Sequence, residues 1–303
     1  MHPEHTPLEP GGVNAVGRML GILGDEWTLL LAQQALLGAT RYGEFAERLP
    51  ISHAVLTSRL RAMTDGGLLA LRVYQDRPRR AEYLPTPRGR ALWPVLTSIW
   101  AWERRWVPHH AERLPAMRHT GCGAVFTPLL VCRACEAPTS EKDLTVAWGP
   151  SGSWPRSMPE QVTRRRSASG AAAPGAGLFP ETMTILGNRW AFALLVAAFV
   201  GTTRFGDFGE QLGAPPGTLA DRLSTLTLVG VLNNSGGRYR LTEKGRAVFG
   251  VIVTALQWAQ RWYLAPEGSA VALHHTACGS RFEGMLTCDQ CARDLDGKSL
   301  ELG

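Results

Sequence analysis

Lysine is nearly missing from this sequence: three residues, Lys142, Lys244 and Lys298, out of 32 Lys and Arg. The formal charge of +6 is therefore an arginine charge. Such a surplus suits a polyanionic partner, but an excess of Arg, Ala and Gly also follows from GC-rich coding, so where the arginines sit counts for more than their sum. A long apolar run is missing as well. The longest, AFALLVAAFV from Ala191, is too short to span a bilayer, and MHPEHTPLEP at the N-terminus lacks the basic-then-apolar order of a secretory signal. No membrane partner is expected, and the expected location is the cytoplasm. Thiols stay reduced there, so closely spaced cysteines point to metal or redox chemistry rather than disulfides. Also absent are a Walker loop, a dinucleotide fingerprint, a nucleophile elbow and the H-x-E…P-C-x-x-C signature of nucleobase deaminases. An enzyme is not expected.

What is present is an ordinary globular composition, 45% hydrophobic and 19% charged over 303 residues, enough for two domains with their own cores. The chain repeats itself. GRMLGILGDEW ending at Trp27 matches ETMTILGNRW ending at Trp190, RYGEFAERL from Arg41 matches RFGDFGEQL from Arg204, and VLTSRLRAMTDGGLL from Val55 matches TLADRLSTLTLVGVL from Thr218, all at an offset of 163. Further on, LPTPRGRALW is answered by LTEKGRAVF, and Trp102 and Trp106 by Trp258 and Trp262, at an offset of 156. A seven-residue deletion therefore lies in the second copy between the segment from Thr218 and the segment from Leu241. Between the copies, Ser151 to Gly177 is rich in Ser, Gly, Pro and Ala and reads as a flexible linker whose Arg164 to Arg166 run is solvated. The expected boundaries are 12–115 and 179–268 for the two main domains, 116–145 and 269–303 for cysteine-bearing segments, and 146–178 for the linker.

In the first copy Val16, Leu20 and Leu23 fall at helical spacing, with Gly24 as the stop. A strongly apolar helix follows from Trp27, then a short one carrying Phe45 and Leu49. Ser52 is placed to cap the next helix, which aligns Leu56, Leu60 and Met63 and ends at Gly66-Gly67. LALRVY and AEYL flank the basic turn QDRPRR as a hairpin, and Thr86 and Pro87 supply N-cap and N1 for a long helix with Trp93, Trp100, Glu103 and Trp106. This order predicts a mainly α fold with small β: two winged helix-turn-helix domains in tandem, each followed by a small zinc-ribbon-like segment.

GDEW, RYGEF, the ISxxxLxxRL segment, GLL, EYxxTxxG and a closing helix with Trp102, in that order, resemble the HxlR-type winged-helix transcription regulators. The second copy repeats most of these landmarks; the cysteine tails and the linker lie outside the resemblance. It implies a bacterial DNA-binding regulator that dimerises through its terminal helices. Two fused copies would then make an intramolecular pseudo-dimer, which can pair again as a homodimer. Some members sense electrophiles or oxidants through an N-terminal cysteine, but no cysteine precedes Cys122, so that mode is not implied.

A reading helix turns its polar side to the major groove while wing arginines hold phosphates. In the first copy these residues are Ser52, His53, Thr57, Ser58 and Arg61 on the helix, and Arg72, Arg77, Arg79 and Arg80 on the wing. The second copy has Pro215, Pro216, Ala220, Asp221 and Ser224 at the same helix positions, and its wing shrinks to NNSGGRY, leaving Arg238 and Arg240. A carboxylate there would face DNA. The first copy is thus the expected principal reader of double-stranded operator DNA and the second a dimerisation or ligand-holding partner. Two copies that each read a half-site are the alternative.

His119-x2-Cys122-x9-Cys132-x2-Cys135 recurs as His275-x2-Cys278-x9-Cys288-x2-Cys291 and uses all six cysteines. Three thiolates and one imidazole close a tetrahedral zinc shell, and Gly123 and Gly279 permit the tight turn of a knuckle. Two structural zinc ions are expected, one per copy, with redox-active thiol pairs as the alternative. A closed shell leaves no open position for catalysis. His274 stands beside His275, but the repeat register favours His275.

Ten tryptophans concentrate on the long helices. Aromatics at helical spacing read as core or interface. The alternative is a pocket between the copies, lined by Trp93, Trp100, Trp106 and Trp262, that takes an aromatic or planar small-molecule effector. The expected function is a DNA-binding transcriptional regulator, repressor-like and modulated by a small molecule. The alternative is a zinc-stabilised protein that docks on transcription machinery with little DNA affinity of its own.

Overall fold

The computed structural model describes residues 5–77, 79–107, 114–158 and 180–302, with backbone alone at Arg79 and Pro180; Arg164 to Arg166 lie outside the described residues. The chain enters through a two-residue strand, β1 (Thr6–Pro7). Helix α1 (Ala15–Leu23) starts on Asn14, whose side chain accepts from the Gly17 N–H, and it buries Met19, Leu20 and Leu23. Asp25 caps α2 (Glu26–Leu36) in the same way through Thr28, and the apolar run Leu29, Leu30, Leu31 goes wholly into the core. A short α3 (Tyr42–Arg48) contributes Phe45, and α4 (His53–Asp65) buries Leu56, Leu60 and Met63 on one face. The wing follows as the antiparallel hairpin β2 (Leu69–Asp76) and β3 (Arg79–Pro85), with an irregularity between Val73 and Gln75.

Thr86 does cap a helix, accepting from the Gly89 N–H, but that helix is the single turn α5 (Pro87–Arg90). The long helix α6 (Trp93–Trp106) starts only after a break at Ala91 and Leu92. Gly89 is pressed onto the base of the wing: a Cβ there would lie 2.1 Å from the Leu68 carbonyl oxygen, and Gly245 meets Val231 at the same distance. Strands β4 (Met117–His119), β5 (Pro128–Cys132) and β6 (Leu144–Trp148) and a single turn α7 (Trp154–Ser157) close the first half.

The second copy repeats the order as α8 (Pro180–Leu186), α9 (Arg189–Phe199), α10 (Phe205–Leu212), α11 (Pro216–Leu228), hairpin β7 (Leu232–Ser235) and β8 (Arg238–Leu241), α12 (Glu243–Arg246) and α13 (Phe249–Trp262). It ends with β9 (Tyr263–Leu264), β10 (Val271–His275), β11 (Gly284–Cys288) and β12 (Leu300–Leu302). Leu69 and Leu232 are 163 apart in sequence and Pro85 and Leu241 are 156 apart, so the deletion falls in the wing itself. The anchoring of each wing is unchanged: Tyr83 N–H donates to Thr40 O at 2.7 Å, and Tyr239 N–H to Thr203 O at 2.7 Å.

The copies join reciprocally. Helices α6 and α13 pack together, with the Trp102 indole N–H donating to the Lys244 carbonyl at 3.1 Å and the Trp258 indole to the Arg88 carbonyl at 3.1 Å. Trp102 and Trp258 are equivalent residues, as are Arg88 and Lys244, so one bond is the other viewed from the opposite copy. Strand β5 pairs antiparallel with β11 about Leu130 and Leu286, again equivalent residues, while β4 pairs with β12 and β6 with β10. An approximate two-fold axis therefore relates the halves of one chain.

The segment 146–178 does not begin as a linker. Strand β6 runs to Trp148 against β10, and α7 packs on α1 with Ser151 and Ser157 buried. The Asn14 side-chain amide donates to Ser151 O at 3.1 Å and to Ser157 Oγ at 3.0 Å, so the start of the supposed linker satisfies a buried polar group. Residues 159–179 lie outside the described set. Among the described residues no helix is long and apolar enough to cross a membrane.

Candidate nucleic-acid interface and metal centres

The head of α4 is fixed by Ser52, whose hydroxyl accepts from the Val55 N–H at 3.4 Å. With Leu56 and Leu60 turned into the core, Ser52, His53, Thr57, Ser58 and Arg61 are all exposed on the opposite side. Tyr42 at the start of α3 braces this face. Its hydroxyl lies 3.1 Å from His53 Nδ1 and 3.3 Å from Thr57 Oγ1, and its ring stacks on the His53 ring at 5.9 Å. Sequence reasoning missed Tyr42 as a surface residue, although RYGEF marks the place. Arg59 reaches back 2.8 Å to Asp25, the cap of α2, and so ties α4 to the core. Arg61 is 3.7 Å from Asp65 on open surface. An exposed pair of that kind is worth about 0.5 kcal/mol, so it holds the guanidinium only weakly.

The wing stem is braced in a similar way. Arg72 donates to the Glu82 carboxylate at 2.6 Å, Arg41 lies 3.8 Å from the same group, and the Arg41 guanidinium sits 5.7 Å over the Tyr74 ring. Arg72 is therefore committed to the stem, whereas Arg77 and Arg80 are exposed at the tip. The Arg79 side chain lies outside the described residues.

In the second copy Pro215, Pro216, Ala220, Asp221 and Ser224 are exposed on the equivalent face. No side chain caps α11. Asp221 holds Arg222 at 2.7 Å, because the counterpart of Asp25 is the neutral Asn188 and leaves Arg222 without the acidic cap that Arg59 has. Gly236 and Gly237, at φ of +58° and +73°, close the short wing in a two-residue turn that side chains rarely enter. Arg238 and Arg240 are exposed beside it.

The metal ligands are all brought together, but not as two intact copies. One set is His119, Cys122, Cys288 and Cys291; the other is Cys132, Cys135, His275 and Cys278. The expectation of one closed shell per copy is thus corrected: each shell takes two ligands from each copy. The pairing of β5 with β11 is the cause, since it carries Cys132 and Cys288 across the two-fold to the opposite knuckle. Within each set the ligand atoms lie within 4.8 Å of one another. Cys122 and Cys288 sulfurs are 3.9 Å apart, Cys132 and Cys278 sulfurs 4.0 Å, and each histidine Nδ1 is 3.3 to 3.5 Å from sulfurs of both copies. A tetrahedron with zinc–sulfur bonds of about 2.3 Å has edges of about 3.8 Å, so both donor set and spacing fit zinc. The Ser280 backbone N–H, helped by His275, pulls the Cys278 thiol down to about 6 and favours the thiolate that a metal needs. Gly123 and Gly279 take positive φ of 72° and 69° in the knuckles, as their place in the motif requires.

The four tryptophans named for the alternative of a shared pocket do not line one cavity. Trp93 and Trp262 border a cleft of 520 Å³, Trp106 faces a separate hollow beside Arg105 and Glu141, and Trp100 is buried with its ring 6.4 Å from Phe126. Trp100 instead locks α6 to the cysteine-bearing segments, its indole donating to Pro115 O at 3.0 Å. A larger cavity, 710 Å³, lies elsewhere between the copies and is lined by Trp148 and Trp154, which sequence reasoning had assigned to the linker.

Residues 22–111 and 185–267 match the model of a family described as HxlR-like helix-turn-helix. An uncharacterized HTH-type transcriptional regulator of Mycobacterium bovis is 33% identical over 127 residues, which cover 40% of this chain and 80% of that protein. YvaP of Bacillus subtilis, named in the same way, is 34% identical over 91 residues, covering 30% of this chain and 84% of YvaP. A solved structure of a candidate transcription factor from Pseudomonas aeruginosa is 30% identical and covers 46% of this chain and 94% of that one, with a TM-score of 0.37.

Proposed function

The chain belongs to the HxlR-like helix-turn-helix family of DNA-binding transcriptional regulators, and from that premise we propose that its first copy is the principal reader of operator duplex while the second chiefly holds it in place. Two zinc ions, each shared between copies, stiffen the joint. The chain acts in the cytoplasm as a repressor-like regulator tuned by a small molecule. The observation that carries the asymmetry is the contrast of outward faces: five exposed hydrogen-bonding residues and an arginine-tipped wing on one side, Asp221 and a wing cut to a two-residue turn on the other. A groove lined by phosphates attracts the first and repels the carboxylate of the second.

The test begins with a duplex selected from a random pool by the intact protein with zinc bound. Replacing Arg77, Arg79 and Arg80 with alanine is expected to weaken binding by more than about tenfold and to lower the slope of log affinity against log salt by roughly 2 to 3. Replacing Arg238 and Arg240 is expected to change affinity by less than about threefold. Equal losses would mean that both wings read DNA, and no loss from the first triple would remove its wing as a contact.

A further inference from the structure

The 710 Å³ cavity is bounded by α1 of the first copy, by α9 and α13 of the second, and by the β6–β10 sheet that joins them. Its size falls in the range of sites for small organic ligands, about 300 to 1,000 Å³. Five aromatic rings are among its described lining: Phe192, Phe199 and Phe249, the last two 6.2 Å apart, and Trp148 and Trp154, edge to face at 5.1 Å. Val146, Trp148 and Val200 at the rim are 47%, 44% and 49% exposed, so apolar surface is held open to water at the entrance. Glu141 is the one ionisable side chain among the described residues of the lining, and its carboxylate already faces Arg246 at 3.8 Å. No lysine, arginine or histidine is among the described residues that line it.

The equivalent positions in the first copy carry different residues. Trp93, Trp100 and Gln33 occupy the positions of Phe249, Leu256 and Val196. The second copy is therefore trimmed and made apolar at three places that border the cavity, in a region where the joint between copies is otherwise conserved in form. Charge chemistry then selects the occupant. An anion entering this lining would lose its water and gain no cation, a penalty of several kcal/mol. An uncharged aromatic molecule meets mostly rings and aliphatic side chains, with Thr145, Ser157 and Gln211 as neutral polar groups among the described lining.

We propose that this cavity is the effector site of the regulator, and that it takes an uncharged, lipophilic aromatic ligand. The proposal rests on the regulator reading above for its consequence, though not for its binding step. A ligand here wedges α1 of one copy against α9 of the other, and the far face of α9 packs on the reading-like helix α11. Filling the cavity therefore bears on how the two heads are set relative to each other.

The probe is N-phenyl-1-naphthylamine, compared with 8-anilinonaphthalene-1-sulfonate, which has the same rings plus one negative charge. With the full chain, zinc bound and DNA absent, the uncharged probe is expected to bind saturably at one site, quenching tryptophan emission, and the sulfonate at least about tenfold more weakly. Leu256→Trp, which installs the residue of the first copy, is expected to weaken the uncharged probe by more than about tenfold, a loss of more than 1.4 kcal/mol. If Leu256→Trp disturbs folding, Val200→Glu at the exposed rim serves instead, with unchanged circular dichroism as its control. Equal affinity for both probes, or binding untouched in a folded variant, overturns the site. Saturating probe is also expected to move the midpoint of duplex binding by at least about twofold; an unmoved midpoint overturns the effector role. A chain that binds probe but no duplex at all breaks the DNA reading and leaves the ligand site standing.

Discussion

Trp102 and Trp258 donate the same indole hydrogen bond into opposite copies, whereas Ser58 and Asp221, just as equivalent, offer a hydroxyl and a carboxylate to solvent. The first pair lies in the joint and the second on the outward face. A change in a reciprocal joint unbalances a contact that both halves need, so the joint resists drift. Outward faces carry no such constraint once one of them suffices for the partner. The wings follow the same division: the bonds from Tyr83 to Thr40 and from Tyr239 to Thr203 persist at the base while seven residues are gone from the tip. Duplication has kept the assembly and differentiated what it presents.

The largest test of that view concerns the metal sites, where joint and cage coincide. If each shell is shared, Cys122→Ser with Cys132→Ser strikes both sets and leaves no zinc, whereas Cys122→Ser with Cys288→Ser strikes one set and leaves one ion per chain. Shells built within each copy would give the reverse stoichiometry. Elemental analysis of the two double variants decides it. Metal binding supplies folding energy to such small segments, so each emptied site is expected to lower the melting temperature by about 10 °C or more.

That pairing also marks where sequence reading reached its limit. The motif spacing named all eight ligands but not their grouping, because two identical motifs related by a two-fold give the same four-ligand count whether a shell closes within a copy or across the axis. The order of helices and the caps at Ser52 and Thr86 were legible, since local hydrogen bonds decide them. The extent of the helix after Thr86 was not: Gly89 packs on Leu68, a contact distant in sequence. The linker was drawn too long for a related reason. LTVAW alternates like a strand, but its partner Val271–His275 is over a hundred residues away. The cavity is not legible from the tryptophans of the long helices, because the two tryptophans that border it, Trp148 and Trp154, sit on β6 and α7.

A second asymmetry lies inside the joint. Glu103 of α6 is fully buried and accepts from the Thr182 N–H at 2.9 Å and the Thr182 hydroxyl at 2.8 Å, whereas its counterpart is Ala259. Burial pushes Glu103 up from 4.5 to about 7, against the two Thr182 bonds that pull it down. Below about pH 4.5 the folded and unfolded chains both hold the proton and the group is neutral in its effect. As pH rises toward 7 the unfolded chain has already released it, so stability falls, and the full cost above pH 7 is about 3 kcal/mol. Glu103→Gln is therefore expected to melt like the parent near pH 4 and several degrees higher at pH 8. The pH response of the Cys/His clusters is common to both proteins and cancels in the difference. A gain that is the same at both pH values would show that Glu103 does not titrate in this window.

The smallest expected effect bears most directly on the outward faces. Asp221→Ser gives the second reading face the residue that Ser58 supplies to the first, and it removes the carboxylate while freeing Arg222 from a 2.7 Å pair. If that face lies near the duplex and is only repelled, affinity should rise by roughly two- to fivefold at low salt, with the gain fading as ionic strength screens it. The salt dependence separates this from a stability effect, which salt of this kind would leave nearly constant. A variant that binds like the parent at every salt concentration would mean that the second face never approaches DNA, and that its loss of polar residues records release from contact rather than a role in excluding it.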